Sequence, residues 1–341
     1  MAGLGVVTGS SGLLGQCLVA RLREAGRPVR LFDVVPPPPA QAGLPAVVAD
    51  MRDAARVRDA VRGADVVYHL AAAQRMKPQF AGLSEEEIRT MNVAGVANVL
   101  AAARAEGVRK AVFVSSSAVY GIPTTVPVRE DHPQRPLGAY GWSKIEAEML
   151  CEAHLAAGGD VTVLRPMSLF GPGMTGVFVL LFDWVQRGKT VWLLGRGTNR
   201  VQMVSAWDVA DACILAADTP ASRGAVLNLG AEDPPTVRAQ VEALIAHAAS
   251  PSRVAPLPAR LLRTAARTLD LVGLSPIVPE HYLLADATFV LDVTRAKAVL
   301  GWRPRHGNVR MTCDAYDWYV ANLGTARPRR GLVLRLLDAL P

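Results

Sequence analysis

A glycine-rich turn between a predicted strand and a predicted helix constrains the fold of this chain more than any other segment. The turn is Thr8-Gly9-Ser10-Ser11-Gly12-Leu13-Leu14-Gly15, which follows the apolar run Leu4 to Thr8 and opens directly into a helical pattern. Glycines three apart let the backbone turn tightly, approach a pyrophosphate closely and pack the helix against the strand. The helix N-terminus adds amides and partial positive charge. The turn therefore predicts a dinucleotide site at the first strand of a parallel sheet.

An acidic residue at the end of the second predicted strand indicates which dinucleotide binds. Asp33 lies 18 residues after Gly15, where its carboxylate can accept hydrogen bonds from the hydroxyls of the adenosine ribose. The same charge repels a 2′-phosphate, so NAD is favoured over NADP. NADP stays the alternative cofactor because Arg30 and Arg52 are cations that could bind its 2′-phosphate.

The first two-thirds of the chain alternates short apolar runs with longer helical patterns, which is typical of strand-helix-strand units in a parallel sheet. Half of the chain is hydrophobic, as expected for strands covered by helices on both faces. The predicted fold is α/β, a Rossmann-type doubly wound parallel sheet with a smaller C-terminal substrate-binding lobe. The predicted strands are Leu4 to Thr8, Pro28 to Asp33, Ala46 to Ala49, Asp65 to Leu70, Lys110 to Ser115, Val161 to Arg165 and Val226 to Leu229.

Prolines and glycines interrupt this rhythm after Arg165, which marks the start of the second lobe. The NAD-binding domain is predicted over residues 1–165, with 201–230 returning to it. The substrate-binding lobe is predicted over 166–200 and 231–320, and a C-terminal tail over 321–341. Two of the predicted helices matter for the site: Leu14 to Ala25 and Asn92 to Glu106.

The charge of the chain excludes some classes of partner. The formal net charge is +7, but the basic residues are mostly arginines scattered among acids, so we expect no nucleic-acid partner. The densest basic cluster, Arg327, Arg329 and Arg330 with Arg335, is expected to be a solvated terminus. Four widely spaced cysteines predict no metal site, and the lack of an apolar run of about 18 residues predicts no membrane span. The expected location is the cytoplasm.

A tyrosine and a lysine four residues apart supply a candidate acid/base pair. On a helix, Tyr140 and Lys144 share a face, so the ammonium can stabilise the phenolate. To act as a base at neutral pH, a phenol whose ordinary pKa is about 10 must shift to about 7, which takes about 4 kcal/mol. The alternative reading is an exposed helix pair.

A serine cluster precedes this pair by about two dozen residues. Ser115, Ser116 and Ser117 follow the fifth predicted strand, at the carboxyl edge where open parallel sheets bind ligands. A hydroxyl there can bind the substrate oxygen that Tyr140 deprotonates, although three serines alone also suit a polar turn. His69, which ends another predicted strand, is expected to be a packed histidine rather than a catalyst.

These motifs together resemble the extended short-chain dehydrogenase/reductases, the family of NAD-dependent nucleotide-sugar epimerases and dehydratases. The resemblance covers nearly the whole chain. It rests on the glycine turn, Asp33, Asp50-Met51, His69 to Ala72, Asn92 to Gly95 with Asn98, the serine cluster, Tyr140 and Lys144, Leu164 to Pro166, Phe170 to Gly173, Asp208 to Ala210, and Leu300 to Pro304.

The resemblance implies a role for each matching residue. Ser116 would be the catalytic serine, with Ser117 as second choice, Tyr140 the acid/base and Lys144 its partner. We also expect Ser117, Ser168 and Arg200 to contact the substrate. Arg200 could bind a phosphate or a carboxylate, and a surface arginine is the alternative reading. The cofactor would be bound by Gly9, Ser10, Ser11, Gly12, Leu13, Leu14, Gly15, Asp33, Asp50, Met51, Leu70, Ala71, Ala72, Asn92, Ser115, Tyr140, Lys144 and Pro166.

Departures from the family pattern reduce the number of reactions that the chain is expected to catalyse. Sugar-nucleotide 4,6-dehydratases place an Asp-Glu pair where this chain has Ser117 and Ala118, so dehydration is disfavoured. Many nucleotide-sugar enzymes carry asparagine where this chain has Ser168, and Arg165-Pro166 also resembles the 3β-hydroxysteroid dehydrogenase branch.

The leading expectation is therefore an NAD-dependent 4-epimerase of a nucleoside-diphosphate sugar, in which hydride is removed and returned. A net oxidoreductase of a sugar, sterol-like or other secondary alcohol is the alternative. A non-catalytic dinucleotide-binding regulator is a third reading, which the survival of Ser116, Tyr140 and Lys144 disfavours. The resemblance also implies a homodimer through the helices Asn92 to Glu106 and Tyr140 to His154.

Overall fold

The structure is a computed structural model, and it describes residues 3–74, 80, 82–171, 177–257 and 287–323. The basic tail cluster and Gly173 of the predicted family motif lie outside the described residues. The elements of the first part are β1 (Gly5–Thr8), α1 (Leu13–Glu24), β2 (Val29–Asp33), β3 (Ala46–Val48), α2 (Ala54–Val61), β4 (Val66–His69), α3 (Glu85–Ala105), β5 (Lys110–Val114), α4 (Ala139–Ala156) and β6 (Val161–Pro166). Those that follow are β7 (Ser168–Phe170), α5 (Val177–Gln186), β8 (Val191–Leu194), β9 (Met203–Ser205), α6 (Ala206–Asp218), β10 (Val226–Leu229), α7 (Val237–His247), β11 (Val254–Leu257), α8 (Thr294–Leu300) and α9 (Asn308–Ala321).

A seven-stranded parallel sheet in the order β10-β6-β5-β4-β1-β2-β3 confirms the predicted fold class. Neighbouring residues of its strands point to opposite faces, and both faces are buried. Val6 and Val67 pack with α2 and α3, whereas Val7 and Tyr68 pack with α1 and α6. Helices on both faces explain why the strands are continuously hydrophobic rather than alternating.

One predicted helix begins earlier than its sequence pattern indicated. The helix predicted from Asn92 is α3, which starts at Glu85 because Ser84 and Glu87 form a reciprocal capping box. Each side chain satisfies a backbone N–H that the first helical turn would leave without a partner. Asn92 therefore lies in the interior of a long helix.

A second hydrophobic core lies beyond β6. It is formed by α5, β8, α7 and α9, with Phe182, Trp184 and Leu244 at its centre. Residues 287–302 do not join this core, although the sequence assigns them to the second lobe. Their side chains Phe289, Leu300 and Trp302 pack in the core on the central sheet instead. No helix among the described residues is long and apolar enough to cross a membrane.

Candidate active site

The glycine turn is shaped by contacts that leave no room for side chains. Gly9 has φ +69°, and a Cβ there would lie 2.8 Å from the Ala71 nitrogen. A Cβ on Gly15, inside α1, would lie 2.2 Å from the Gly9 carbonyl oxygen. The turn therefore packs directly against both its own helix and the segment after β4, as the close helix-strand packing of a dinucleotide site requires.

Gly12 borders an open cradle at the start of α1. The nearest atom to a Cβ placed there is the Gly9 oxygen, at 3.3 Å. No side chain in the described part of the chain caps the helix at Gly12, so the first-turn amides are available to an anion. This cradle fits a pyrophosphate, and the cofactor contacts predicted for Ser10, Ser11, Leu13 and Leu14 stay predictions.

Asp33, at the end of β2, is tied to the glycine turn. Its Oδ2 accepts a hydrogen bond of 2.9 Å from the Ser11 amide. Behind the turn, the Gln41 amide donates to the Ser10 carbonyl at 2.9 Å, and the Ser11 hydroxyl donates to the Pro36 carbonyl at 3.3 Å. The proline-rich segment after β2 thus braces the turn from outside.

The two arginines that could bind the 2′-phosphate of NADP have other partners in the structure. Arg30 donates to the carbonyls of Ala60 and Arg62 at 2.6 and 2.8 Å. Arg52 forms a forked ion pair with Asp50, at 2.7 Å between Nη2 and Oδ2. Hydrogen bonds from Arg52 hold the pKa of Asp50 below its usual value. Both guanidinium groups are thus partly engaged with other groups of the protein, which is consistent with the preference for NAD.

The Asp50-Met51 segment is held against α3. The Asn98 amide donates to the Met51 carbonyl at 2.9 Å. Gly95 lets the Met51 side chain lie close to α3, since a Cβ on Gly95 would be only 3.2 Å from the Met51 Cβ. The predicted adenine contacts of Asp50 and Met51 stay predictions, and the Asp50 carboxylate is shared with Arg52.

The end of β4 is organised by Thr8. Its hydroxyl oxygen lies 2.8 Å from Nδ1 of His69 and accepts from the amides of Leu70 and Ala71 at 3.2 and 3.3 Å. His69 is buried, and burial together with nearby Lys144 lowers its pKa to about 3. The imidazole is therefore neutral and packed, as predicted.

Asn92, a predicted cofactor contact, has side-chain hydrogen bonds inside the protein. Its side chain is 7% exposed and binds both the N–H and the C=O of Ala73, at 2.7 and 3.2 Å. Its amide also donates to the Ser143 hydroxyl at 3.0 Å, and that hydroxyl donates to the Tyr140 carbonyl at 2.7 Å. Asn92 thus ties the segment after β4 to the first turn of α4.

The serines after β5 separate into different environments. The Ser115 hydroxyl donates to Glu148 at 2.5 Å, and its predicted cofactor contact stays a prediction. The Ser116 hydroxyl accepts from the Ala118 amide at 3.1 Å and starts a short 3-10 turn. Ser117 is buried within that turn.

Tyr140 and Lys144 occupy the first two turns of α4, as the sequence predicts. The side chains of Ser116 and Gln74 act on the Tyr140 phenol and lower its pKa. Lys144 donates to the Val114 carbonyl at 2.8 Å, and its nitrogen lies 5.7 Å from the centre of the Tyr140 ring.

The expected lowering of the pKa of Tyr140 is not found in the protein alone. Burial raises the pKa, and the hydrogen bonds of Gln74 and Ser116 oppose the rise. Gln74 is a site residue that the sequence reasoning missed. Its one signal is that it is the first polar side chain after the Leu70 to Ala73 run at the carboxyl edge of the sheet.

The remaining predicted residues lie beyond the Rossmann sheet or at its edge. Pro166 is the last residue of β6 and is buried. Ser168 begins β7 and is exposed. Arg200 is also exposed, and its backbone bonds with Phe289 and Thr288 just before β9.

Comparison with known proteins agrees with this geometry. The sequence profile of the NAD dependent epimerase/dehydratase family matches residues 6–230. An uncharacterized protein of Sinorhizobium fredii, y4nG, is 34% identical over 98% of this chain and 85% of its own length. The UDP-glucose 4-epimerase of Streptomyces lividans is 27% identical over 94% of this chain and 97% of its own.

Among solved structures, MoeE5 in complex with UDP-glucose and NAD is 28% identical with a TM-score of 0.74, over 94% of this chain and 100% of that one. The resemblance to the extended short-chain dehydrogenase/reductases, drawn from the motifs, is confirmed. The chain is an NAD-dependent enzyme and belongs to the NAD dependent epimerase/dehydratase family.

Proposed function

We propose that the protein is a 4-epimerase of a nucleoside-diphosphate sugar, with Tyr140 as its acid/base. The observation that carries this proposal is the Tyr140 phenol at the carboxyl edge of the sheet, where Ser116 lowers its pKa and the Lys144 nitrogen lies 5.7 Å from the centre of its ring. The similarity to UDP-glucose 4-epimerase and to a structure that contains UDP-glucose and NAD supports the substrate class. Ser117 and Ala118, in place of an acid pair, argue against dehydration.

Reversible hydride transfer is the chemistry that NAD supplies when bound. The pyrophosphate would lie against Gly9, Gly12 and the first-turn amides of α1, and the ribose against Asp33. Leu70, Ala71 and Ala72 would line the cleft beside them. The fit rests on the open cradle at Gly12, where a side chain would occupy the space that a phosphate needs.

The protein's own groups handle the proton. Tyr140 would take the proton of a sugar hydroxyl as the alcohol is oxidised to a ketone. It would return the proton to the same oxygen when the ketone is reduced from its other face, while the Ser116 hydroxyl holds that oxygen. Because burial raises the pKa of Tyr140, positive charge must favour the phenolate. The Lys144 ammonium supplies such a charge 5.7 Å from the centre of the ring, and its hydrogen bond to the Val114 carbonyl fixes its position.

The substrate lobe would hold the nucleotide part of the sugar donor. Arg200 is exposed and has the charge for a diphosphate, and Ser168 offers a hydroxyl where many relatives carry an amide. Ser117 completes the proposed substrate contacts beside Ser116.

Two measurements on the purified protein test this function. Denaturation should release NAD, and the intact protein should interconvert UDP-glucose and UDP-galactose without added nicotinamide. Tyr140→Phe should retain NAD but lose about 10²- to 10⁴-fold in kcat, the usual contribution of a positioned acid/base. Stoichiometric formation of NADH would show a net oxidoreductase and contradict epimerisation.

We also propose a homodimer through α3 and α4. The two helices pack side by side and are linked by an Arg89 to Glu146 ion pair of 2.7 Å. On α4, Trp142 and Met149 are 50% and 61% exposed, and a spacing of seven residues places them on one face. Such large apolar side chains in solvent are typical of an interface.

A further inference from the structure

A buried ion pair lies behind the proposed acid/base and takes no part in the proton chemistry. Arg165 of β6 and Glu148 of α4 have side chains that are only 5% and 7% exposed. Two contacts join them, Nη2 to Oε2 at 2.6 Å and Nε to Oε1 at 3.0 Å. This forked geometry fixes both the distance and the angle between the helix and the strand.

The remaining groups of the pair bind the segment that follows Ser116. Arg165 donates through Nη1 to the Tyr120 hydroxyl at 2.8 Å and to the Glu130 carbonyl at 3.0 Å. The Tyr120 hydroxyl in turn donates to Asn228 at 2.7 Å, and Asn228 lies opposite Arg165 in the pairing of β10 with β6. Burial opposes the charge of Arg165, but the contacts with Glu148 raise its pKa overall, so the guanidinium stays charged.

Glu148 reaches the same segment from its other end. Its Oε1 accepts the Ser115 hydroxyl at 2.5 Å, and one helical turn earlier Lys144 donates to the Val114 carbonyl at 2.8 Å. Helix α4 therefore binds two consecutive residues immediately before Ser116. The segment from Ser115 to Tyr120 is held at its first residue by Glu148 and at its last by Arg165.

We propose that Glu148 and Arg165 are positioning residues that hold the Ser116 hydroxyl in register with Tyr140. The inference rests on the proposed function of that site. Ser116 and Tyr140 come from different elements, and Glu148 lies two turns after Tyr140 on the same helix while contacting the residue before Ser116. Small displacements of reacting groups can cost about 10²-fold in rate, so a fixed register matters for turnover.

An ion pair with a buried lysine, at the opposite edge of the sheet, provides a control. Lys110, at the start of β5, is 1% exposed and contacts Asp160 at 2.7 Å. It occupies the same strand that leads to Ser115 but lies far from the acid/base pair along it. Lys110→Met should lower the melting temperature without changing kcat per NAD-loaded site.

The test compares this control with Arg165→Lys, which keeps the charge but loses the fork, and with Ser115→Ala, which removes one hydroxyl. We expect Arg165→Lys to lower kcat per NAD-loaded site at least tenfold with KM changed less than twofold, and Ser115→Ala to lower it several-fold. If Arg165→Lys does not fold, Ser115→Ala carries the test by itself. Unchanged kcat in the folded variants, with only a lower melting temperature, would overturn the proposal.

A second measurement does not depend on epimerase activity. The ionisation of the Tyr140 phenol is followed by ultraviolet absorbance as the pH is raised. Its contribution is the difference in absorbance between each protein and the same protein with Tyr140→Phe. Since the Ser116 hydrogen bond favours the phenolate, Arg165→Lys and Ser115→Ala should move this titration to higher pH, and Lys110→Met should not. A wild-type protein that epimerises no sugar nucleotide would count against the proposed function, whereas an unmoved titration would count against the positioning role.

Discussion

Tyr140 is the residue on which the proposed reaction depends, and its neighbours decide the pH at which it works. Its two partners were predictable from local patterns. Lys144 follows Tyr140 by four residues on one helix, and Ser116 belongs to a motif at the end of a strand. Gln74 and Glu148 were not predictable in the same way. Each acts through a contact between elements far apart in the chain, and neither carries a local pattern that marks it.

At the residue scale, Gln74 provides a prediction with a defined sign. Its hydrogen bond lowers the pKa of Tyr140 against the effect of burial. Gln74→Leu removes that donor, so the pKa should rise and the acidic limb of kcat/KM should move to higher pH. Gln74→Glu should move it further, since a second anion beside the phenolate is repulsive.

The pH profile of kcat/KM checks this expectation, with the exposed Gln186→Leu as the control. If the acidic limb of kcat/KM stays at the wild-type pH in both Gln74 variants, Gln74 does not affect the pKa of Tyr140. His69 does not confuse the profile, because its pKa of about 3 keeps it neutral across the assay range.

At the element scale, the seven strands of the central sheet were well predicted, whereas β7, β8, β9, β11 and the start of α3 were not. The seven strands agree closely because burial on both faces leaves continuous apolar runs bounded by turns. The early start of α3 is signalled by the capping box of Ser84 and Glu87, which precedes the apolar periodicity that begins at Ile88.

The junction of β1 and α1 yields the prediction at this scale. Gly15→Ala would place a Cβ 2.2 Å from the Gly9 oxygen and 2.7 Å from the Ser10 Cα, and both are backbone atoms. Because backbone must shift to make room, we expect the protein to lose about 1 to 3 kcal/mol of unfolding free energy. It should also lose its retained NAD.

Chemical denaturation and the nucleotide content of the purified protein measure these two effects. Gly82→Ala is the matched control, since no described atom lies within 4 Å of its Cβ. Full NAD content in Gly15→Ala would show that the glycine turn tolerates the shift and does not depend on close packing.

At the scale of the whole molecule, the two lobes are more interwoven than the sequence indicates. Residues 287–302 cross back to the central sheet, where Trp302 donates to the Asp208 carbonyl at 2.8 Å. Val128 pairs with the same segment through hydrogen bonds to Val290 and Asp292. Periodicity assigns residues to helices or strands, but it does not say which of two cores they enter.

The prediction at this scale concerns assembly. Trp142→Arg combined with Met149→Arg should convert the proposed dimer to a monomer, because two charges would be buried without partners at the interface. Light scattering after size-exclusion chromatography measures the mass. Val320→Arg, at a similarly exposed site on α9, should leave the mass unchanged. A wild-type protein that is already monomeric would refute the interface.

The hydrogen bond between the Ser11 amide and Asp33 has a consequence for cofactor engineering. Replacing Asp33 is the obvious route to an enzyme that accepts NADP, because it removes the charge that repels a 2′-phosphate. Here the same carboxylate also anchors the turn that cradles the pyrophosphate. Asp33→Gly would thus weaken the binding of every dinucleotide. Asp33→Asn removes the negative charge and keeps an oxygen that can accept the hydrogen bond of the Ser11 amide.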